Sequence, residues 1–246
     1  MSETLPAPKE LAECGALIVG GSAGIGFASA HRLAVAGVPR IVIASRDPAR
    51  GEEARARLAE TGADVTWIPG DATRPEDAAR IATEAERILN GIDVFVCSTV
   101  AEATPTLFAD IPTEAIADIV AEMLLPPMQM VSEVLPLMKA RRRGVIVTVA
   151  SDAGKSATPG ETIIGACKAA IIMFTRTIAM EVKRDGIRAN VLTPSLVAGT
   201  ASTERITTEG FSARLFEKAA QQAHLGVPTA VEDVLDGWPG TLVVVS

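Results

Sequence analysis

Short runs of β-branched and other apolar residues recur along the chain. They alternate with longer stretches in which apolar positions return every three or four residues. The runs at 16–19, 41–44, 64–68, 93–97, 145–149, 189–192 and 242–245 predict strands. The periodic stretches at 25–36, 48–60, 75–89, 113–139 and 162–183 predict helices. In the last stretch Cys167, Ile171, Phe174 and Ile178 share one helical face, which packs inward or against a second chain. Strands that are apolar throughout belong to parallel sheets covered on both sides. Repeated strand–helix–strand units with right-handed crossovers make that sheet doubly wound. The expected fold is therefore α/β of Rossmann type, with seven parallel strands. No repeat or linker divides residues 1–246, which read as a single domain. The pattern becomes irregular from Thr193 to about Val227. A loop of that length is usually functional, so about 194–227 is read as a substrate lid with a helix near 211–222.

Charge narrows the partners. The 246 residues carry 23 basic and 30 acidic side chains, a net charge of −7. An acidic surface repels phosphate backbones, so no nucleic-acid partner is expected. The basic run Arg141 to Arg143 reads as a solvated helix end. Cys14, Cys97 and Cys167 lie far apart without paired spacing. That pattern predicts a reduced, cytoplasmic chain with no disulfide framework and no metal site. No run reaches 18 continuous apolar residues, so no membrane contact is expected.

The first strand runs into Gly20-Gly21-Ser22-Ala23-Gly24-Ile25-Gly26, and a helix comes next. Glycines there let the backbone turn sharply and approach a pyrophosphate, which the helix N-terminus then attracts. The competing reading is a tight turn without a ligand. The second strand ends at Ser45-Arg46. An acidic residue near this point holds a ribose 2′-hydroxyl, whereas an arginine accommodates a 2′-phosphate. Arg46 thus favours NADP, with NAD possible, unless it simply pairs with Asp47 or Glu52.

The glycine spacing, together with motifs further along, resembles the short-chain dehydrogenase/reductase family over nearly the whole chain. Gly20, Gly24 and Gly26 take the three glycine places of its Thr-Gly-x-x-x-Gly-x-Gly turn, and Val19 replaces the threonine. The resemblance implies cofactor contacts from Gly20, Ser22, Gly24, Ile25, Gly26, Asp71 and Ala72. It implies further contacts from Lys168, Pro194 and Thr200. Its reacting group is Ser, then Tyr-x-x-x-Lys. Ser151 and Lys168 match, but the tyrosine place holds Ile164, and the chain contains no tyrosine at all. The family's Asn-Asn-Ala-Gly is Cys97-Ser98-Thr99-Val100 here, its fourth-helix asparagine is Met123, and Pro194-Ser195 replaces its Pro-Gly. Relative to the family, roughly a dozen residues are missing between Val234 and the last strand.

The candidate catalytic residues are therefore Ser151 and Lys168, with Ile164 expected to face Ser151. Pro126 and Pro127 sit inside the fourth helix and should free the carbonyls of Glu122 and Met123, either for a bound water or as a plain kink. His31 reads as a helix-surface or packing residue, and His224, in the late loop, is the one histidine within reach of the pocket by sequence position. Asp152 and Glu161 read as turn carboxylates, and Ser151 as either a catalytic group or a turn cap. The expected function is an NADP(H)-binding oxidoreductase of a carbonyl or hydroxyl compound with a degenerate centre. The alternatives are a catalytically silent subunit and a nucleotide-binding regulator. The resemblance implies a homo- or hetero-oligomer formed through the fourth and fifth helices. The small-molecule substrate is not legible.

Overall fold

The computed structural model describes residues 9–200, 203–204 and 229–231. Six of the apolar runs form strands: β1 (Gly15–Val19), β2 (Arg40–Ser45), β3 (Asp64–Pro69), β4 (Val94–Cys97), β5 (Gly144–Val149) and β6 (Ile187–Leu192). They pair in the order β3-β2-β1-β4-β5-β6, and every pairing is parallel. The expected seventh strand at 242–245 lies outside the described residues, as does the helix expected near 211–222.

The helices are α1 (Gly24–Val35), α2 (Pro48–Ala59), α3 (Pro75–Leu89), α4 (Ala115–Arg141) and α5 (Thr162–Val182). Alternate residues of each strand serve opposite faces. Ile18, Ile41 and Ile43 pack with Ala30, Ala54 and Leu58 of α1 and α2. Leu17, Val42, Phe95 and Ile146 pack with Ile81, Met130, Val134 and Val182 of α3, α4 and α5. Both faces of the sheet are therefore covered, which explains why its strands are apolar throughout. Cys167 and Ile171 are buried, and Phe174 and Ile178 pack against the core, so this face of α5 turns inward. By length and composition alone, α4 and α5 are apolar enough to cross a bilayer, although neither has 18 consecutive apolar residues.

The stretch after β6, expected to be irregular, contains a small second sheet. Val197–Ala198 (β7) pairs in parallel with Thr229–Ala230 (β8). Two-residue strands carry no readable alternation, so the sequence gives no warning of them. The strand order reverses between β1 and β4, and the crevice at their carboxyl ends is where a ligand of such a sheet sits.

Candidate functional site

At the end of β1 the chain turns so tightly that only glycine fits. Gly20 has φ +82°, and a Cβ there would lie 2.6 Å from the Ser98 carbonyl oxygen. A Cβ on Gly26 would lie 2.1 Å from the Gly20 carbonyl oxygen. Gly24 is also left-handed, and above it the nearest group is the Thr200 side chain at 3.6 Å. The chain after β6 thus returns over the glycine turn, with Ser22 and Ile25 half-buried beside it. Ala23 precedes α1 without a side-chain cap, and no acidic residue occupies the first turn of the helix. Unclaimed N–H groups without a competing carboxylate suit a phosphate. The residues therefore fit a dinucleotide.

Arg46 is exposed at the end of β2. Among the described residues it makes no ion pair, contrary to the Asp47 or Glu52 pairing that the sequence left open. Asp47 caps α2 through the N–H groups of Ala49 (2.9 Å) and Arg50 (3.1 Å), and Glu52 accepts from Arg55 at 2.7 Å. Asp71 is held in a local turn: its carboxylate accepts from the Thr73 backbone at 3.0 Å and the Thr73 hydroxyl at 2.8 Å. Ala72 beside it is buried.

Around the expected reacting centre the pieces are arranged more loosely. Ser151 lies two residues beyond β5, where it caps the 3-10 turn Asp152–Gly154, and its hydroxyl already has local partners. It donates to Asp152 Oδ1 at 3.2 Å and accepts from the Ala153 N–H at 3.2 Å. The next turn rests on α5 so closely that a Cβ on Gly154 would lie 2.7 Å from the Lys168 carbonyl carbon. The Asp152 N–H donates to the Pro194 carbonyl at 3.0 Å, which ties the chain after β6 to the same corner. Lys168 is half-buried and has no hydrogen-bond partner among the described residues. Burial lowers its pKa, and the nearby Cys97 and Cys167 oppose that shift. Cys97 is buried, and burial pushes its thiol up to about 11. Such a thiol is protonated near neutrality and is not a nucleophile.

Ile164 sits at the entrance of α5, where a Cβ on the next residue, Gly165, would lie 2.8 Å from the Ala153 carbonyl oxygen. Ile164 joins a cluster with Ala101, Met123, Ile163 and Cys167, and it lines a cleft of about 370 Å³. The cleft runs between the β4–α4 connection, the start of α4 and the entrance of α5, and Ser151 and Lys168 do not line it.

The model of the short chain dehydrogenase family matches residues 15–210. The chain belongs to the short-chain dehydrogenase family. Human "Dehydrogenase/reductase SDR family member 4" is 32% identical over 183 residues, which is 74% of this chain and 65% of that protein. The chain thus spans just under two thirds of such a relative. Oxidoreductase YxjF of Bacillus subtilis is 28% identical over 74% of this chain and 70% of its own length. Among solved structures, an NAD+-bound xylitol dehydrogenase superposes with TM-score 0.85 at 21% identity, covering 92% of this chain and 90% of its own. An actinorhodin polyketide ketoreductase with NADPH superposes with TM-score 0.83 at 22% identity, covering 91% and 87%. These two likenesses show the fold, and their differing cofactors leave the nucleotide of this chain open.

Measured against the short-chain dehydrogenase pattern, the glycine turn, Arg46, Asp71, Ala72, Pro194 and Thr200 all lie at carboxyl ends of strands, as the sequence placed them. His31 is exposed on α1 and stacks on Phe27 at 6.4 Å, as a surface residue would. His224 lies outside the described residues, as does most of the expected lid at 194–227. The α4 helix runs unbroken through Pro126 and Pro127. The sequence reading missed the cleft itself. Glu102, Asp110, Asp118 and Glu122 line it, and their run of acidic residues without a basic neighbour was the signal that could have found it.

Proposed function

We propose that this chain is an NADP(H)-binding oxidoreductase acting on a carbonyl or hydroxyl compound, with a proton route unlike that of its family. The observation that carries the reading is the Arg46 guanidinium at the edge of the glycine cradle, unpaired among the described residues, whose acidic neighbours are already engaged. A bound dinucleotide supplies the hydride chemistry. The chain's own residues bind and orient: the bare first turn of α1 takes the pyrophosphate, and Arg46 takes the 2′-phosphate. Lys168 holds the ribose hydroxyls, and Ser151 turns from Asp152 to hydrogen-bond the substrate oxygen.

No side chain at 164 or 123 can pass a proton, since these are Ile164 and Met123. Lys168 and a water held by the carbonyls of Glu122 and Met123 do so instead. The carbonyls are free because Pro126 and Pro127 have no N–H to offer them. Losing a positioned acid–base group costs ~10²–10⁴-fold in rate, so turnover is slow. We place the protein in the cytoplasm, on the strength of its three free cysteines, and read it as one domain.

Titration of wild type and Arg46→Ala with both nucleotides tests the reading. The variant should bind NADP(H) about tenfold more weakly, a loss of ~1.4 kcal/mol, with NAD(H) unchanged. Identical affinities in both proteins would remove Arg46 from the site.

A second reading, a silent subunit that pairs with an active relative, is favoured by one observation. Met173 and Met180 on α5 stay exposed while the opposite face packs inward. Co-purification of a second, active member of the family with the chain, together with no reduction of any carbonyl compound at saturating NADPH, would favour this reading.

A further inference from the structure

We propose that the cleft beside Ile164 binds a small amphiphile carrying a protonated amine. We also propose that the substrate belongs to this class; that second part rests on the oxidoreductase reading, whereas the binding part does not. The cleft, of about 370 Å³, is within the size range of small-molecule sites. Its apolar floor is made by Ile111, Ile119, Ile163 and Ile164. Among the described residues its charged groups are all of one sign: Glu102, Asp110, Asp118 and Glu122 line it, and no Lys, Arg or His does. None of the four carboxylates is paired with a cation among the described residues.

The sequence around the cleft explains that arrangement. From residue 88 to residue 138 there is not one Lys, Arg or His, although Asp and Glu recur throughout. This segment builds two of the three walls, so neither of those walls supplies a cation of its own. Asp118 and Glu122 lie one helical turn apart and crowd like charges together. The walls are tied down without a ligand. The Glu102 N–H donates to Glu122 Oε2 at 3.2 Å, and the Thr106 N–H reaches across to the Gly160 carbonyl at 2.8 Å. An apolar floor under unpaired carboxylates selects a ligand with an apolar body and a cationic head, and it repels acids and phosphates. Because Ile164 belongs to the floor, a bound molecule lies against the family's tyrosine place.

Isothermal titration of the full chain with hexylammonium and with hexanoate, with and without NADP+, tests the proposal. Hexylammonium should bind and hexanoate should not, and added salt should weaken the binding. Asp118→Asn/Glu122→Gln should weaken hexylammonium roughly fivefold, as one exposed and one half-buried ion pair would. Asp110→Asn, in the short 3-10 helix Phe108–Asp110, gives an independent reading in the same direction. Equal binding of amine and carboxylate would overturn the proposal. So would amine binding unchanged in both variants, since the amine would then be held only by the net charge of −7. The same titrations read NADP+ separately. If the amine binds and NADP+ does not, the site stands and its role in an oxidoreductase falls.

Discussion

Isoleucine at 164 changes the chemistry of its corner more than any other single residue. It offers neither proton nor hydrogen bond, and it packs into the cluster with Met123 and Cys167. Wild type should therefore reduce simple ketones very slowly even with cofactor bound. Ile164→Tyr should raise that rate measurably in an assay of NADPH oxidation, because Lys168 still lies one turn further along α5. Failure despite tight cofactor binding would mean that the changes at Cys97 and Met123 have dismantled the site as well. Glu161 carries a second residue-scale expectation. Burial, the largest cause, and Asp152 raise its pKa above 4.5, while a hydrogen bond with Thr158 opposes the shift. The raised pKa gives stability that is full below 4.5 and is lost as pH rises through the folded value. Glu161→Gln should match wild type at acid pH and gain at most ~1 kcal/mol near neutrality, read by denaturant unfolding at both. The absence of tyrosine was fully legible, because composition alone reveals it. The packing of Ile164 against Ala101 and Met123 was not, because register fixes a helix face and not the partner that face meets.

The elements were read well where a physical rule is strict. Pro48 and Pro75 each sit at the first turn of a helix, where a missing N–H costs nothing, and both helices start there. Asp47 immediately before α2 holds two of its first N–H groups. Asp47→Ala should cost about 1 kcal/mol and lower the melting temperature by ~2–4 °C, measured by circular dichroism. Its neighbour Arg46 would stay in place, so a large loss of NADP(H) binding in the same variant would show that the cap also orients the arginine. Where rules are loose, the reading failed. Thr113 marks the expected start of α4, which begins at Ala115, because Glu114 caps the helix without a side-chain bond. The β7–β8 pair escaped because its partners, Val197 and Thr229, are far apart in sequence and each strand is too short to show a pattern.

At the scale of the whole molecule, the sheet and its two helical layers were legible from alternation and period. The cleft was not, because residues 102–122 and 160–164 meet there only once the fold exists. The outer surface of α5 shows what the folded chain leaves unfinished. Cys167, Ile171, Phe174 and Ile178 are turned towards the core. Met173 and Met180 lie two turns apart on the other side, each 58% exposed, and Leu125 of α4 is also exposed. Methionine is enriched in interface cores and adapts to a facing surface. A chain alone in solution would leave this apolar surface in water, and a second chain would cover it. Wild type should therefore sediment as a dimer or larger at micromolar concentration. Met173→Glu/Met180→Glu should shift it towards monomer, because burying two carboxylates without partners in an apolar interface is costly. The variant's circular dichroism should be unchanged, since both side chains already face solvent. A wild type that sediments as a monomer would remove α5 as an interface between copies of this chain. Conversion of such a monomer to a larger species only when an active relative is added would instead make it the face of a mixed assembly.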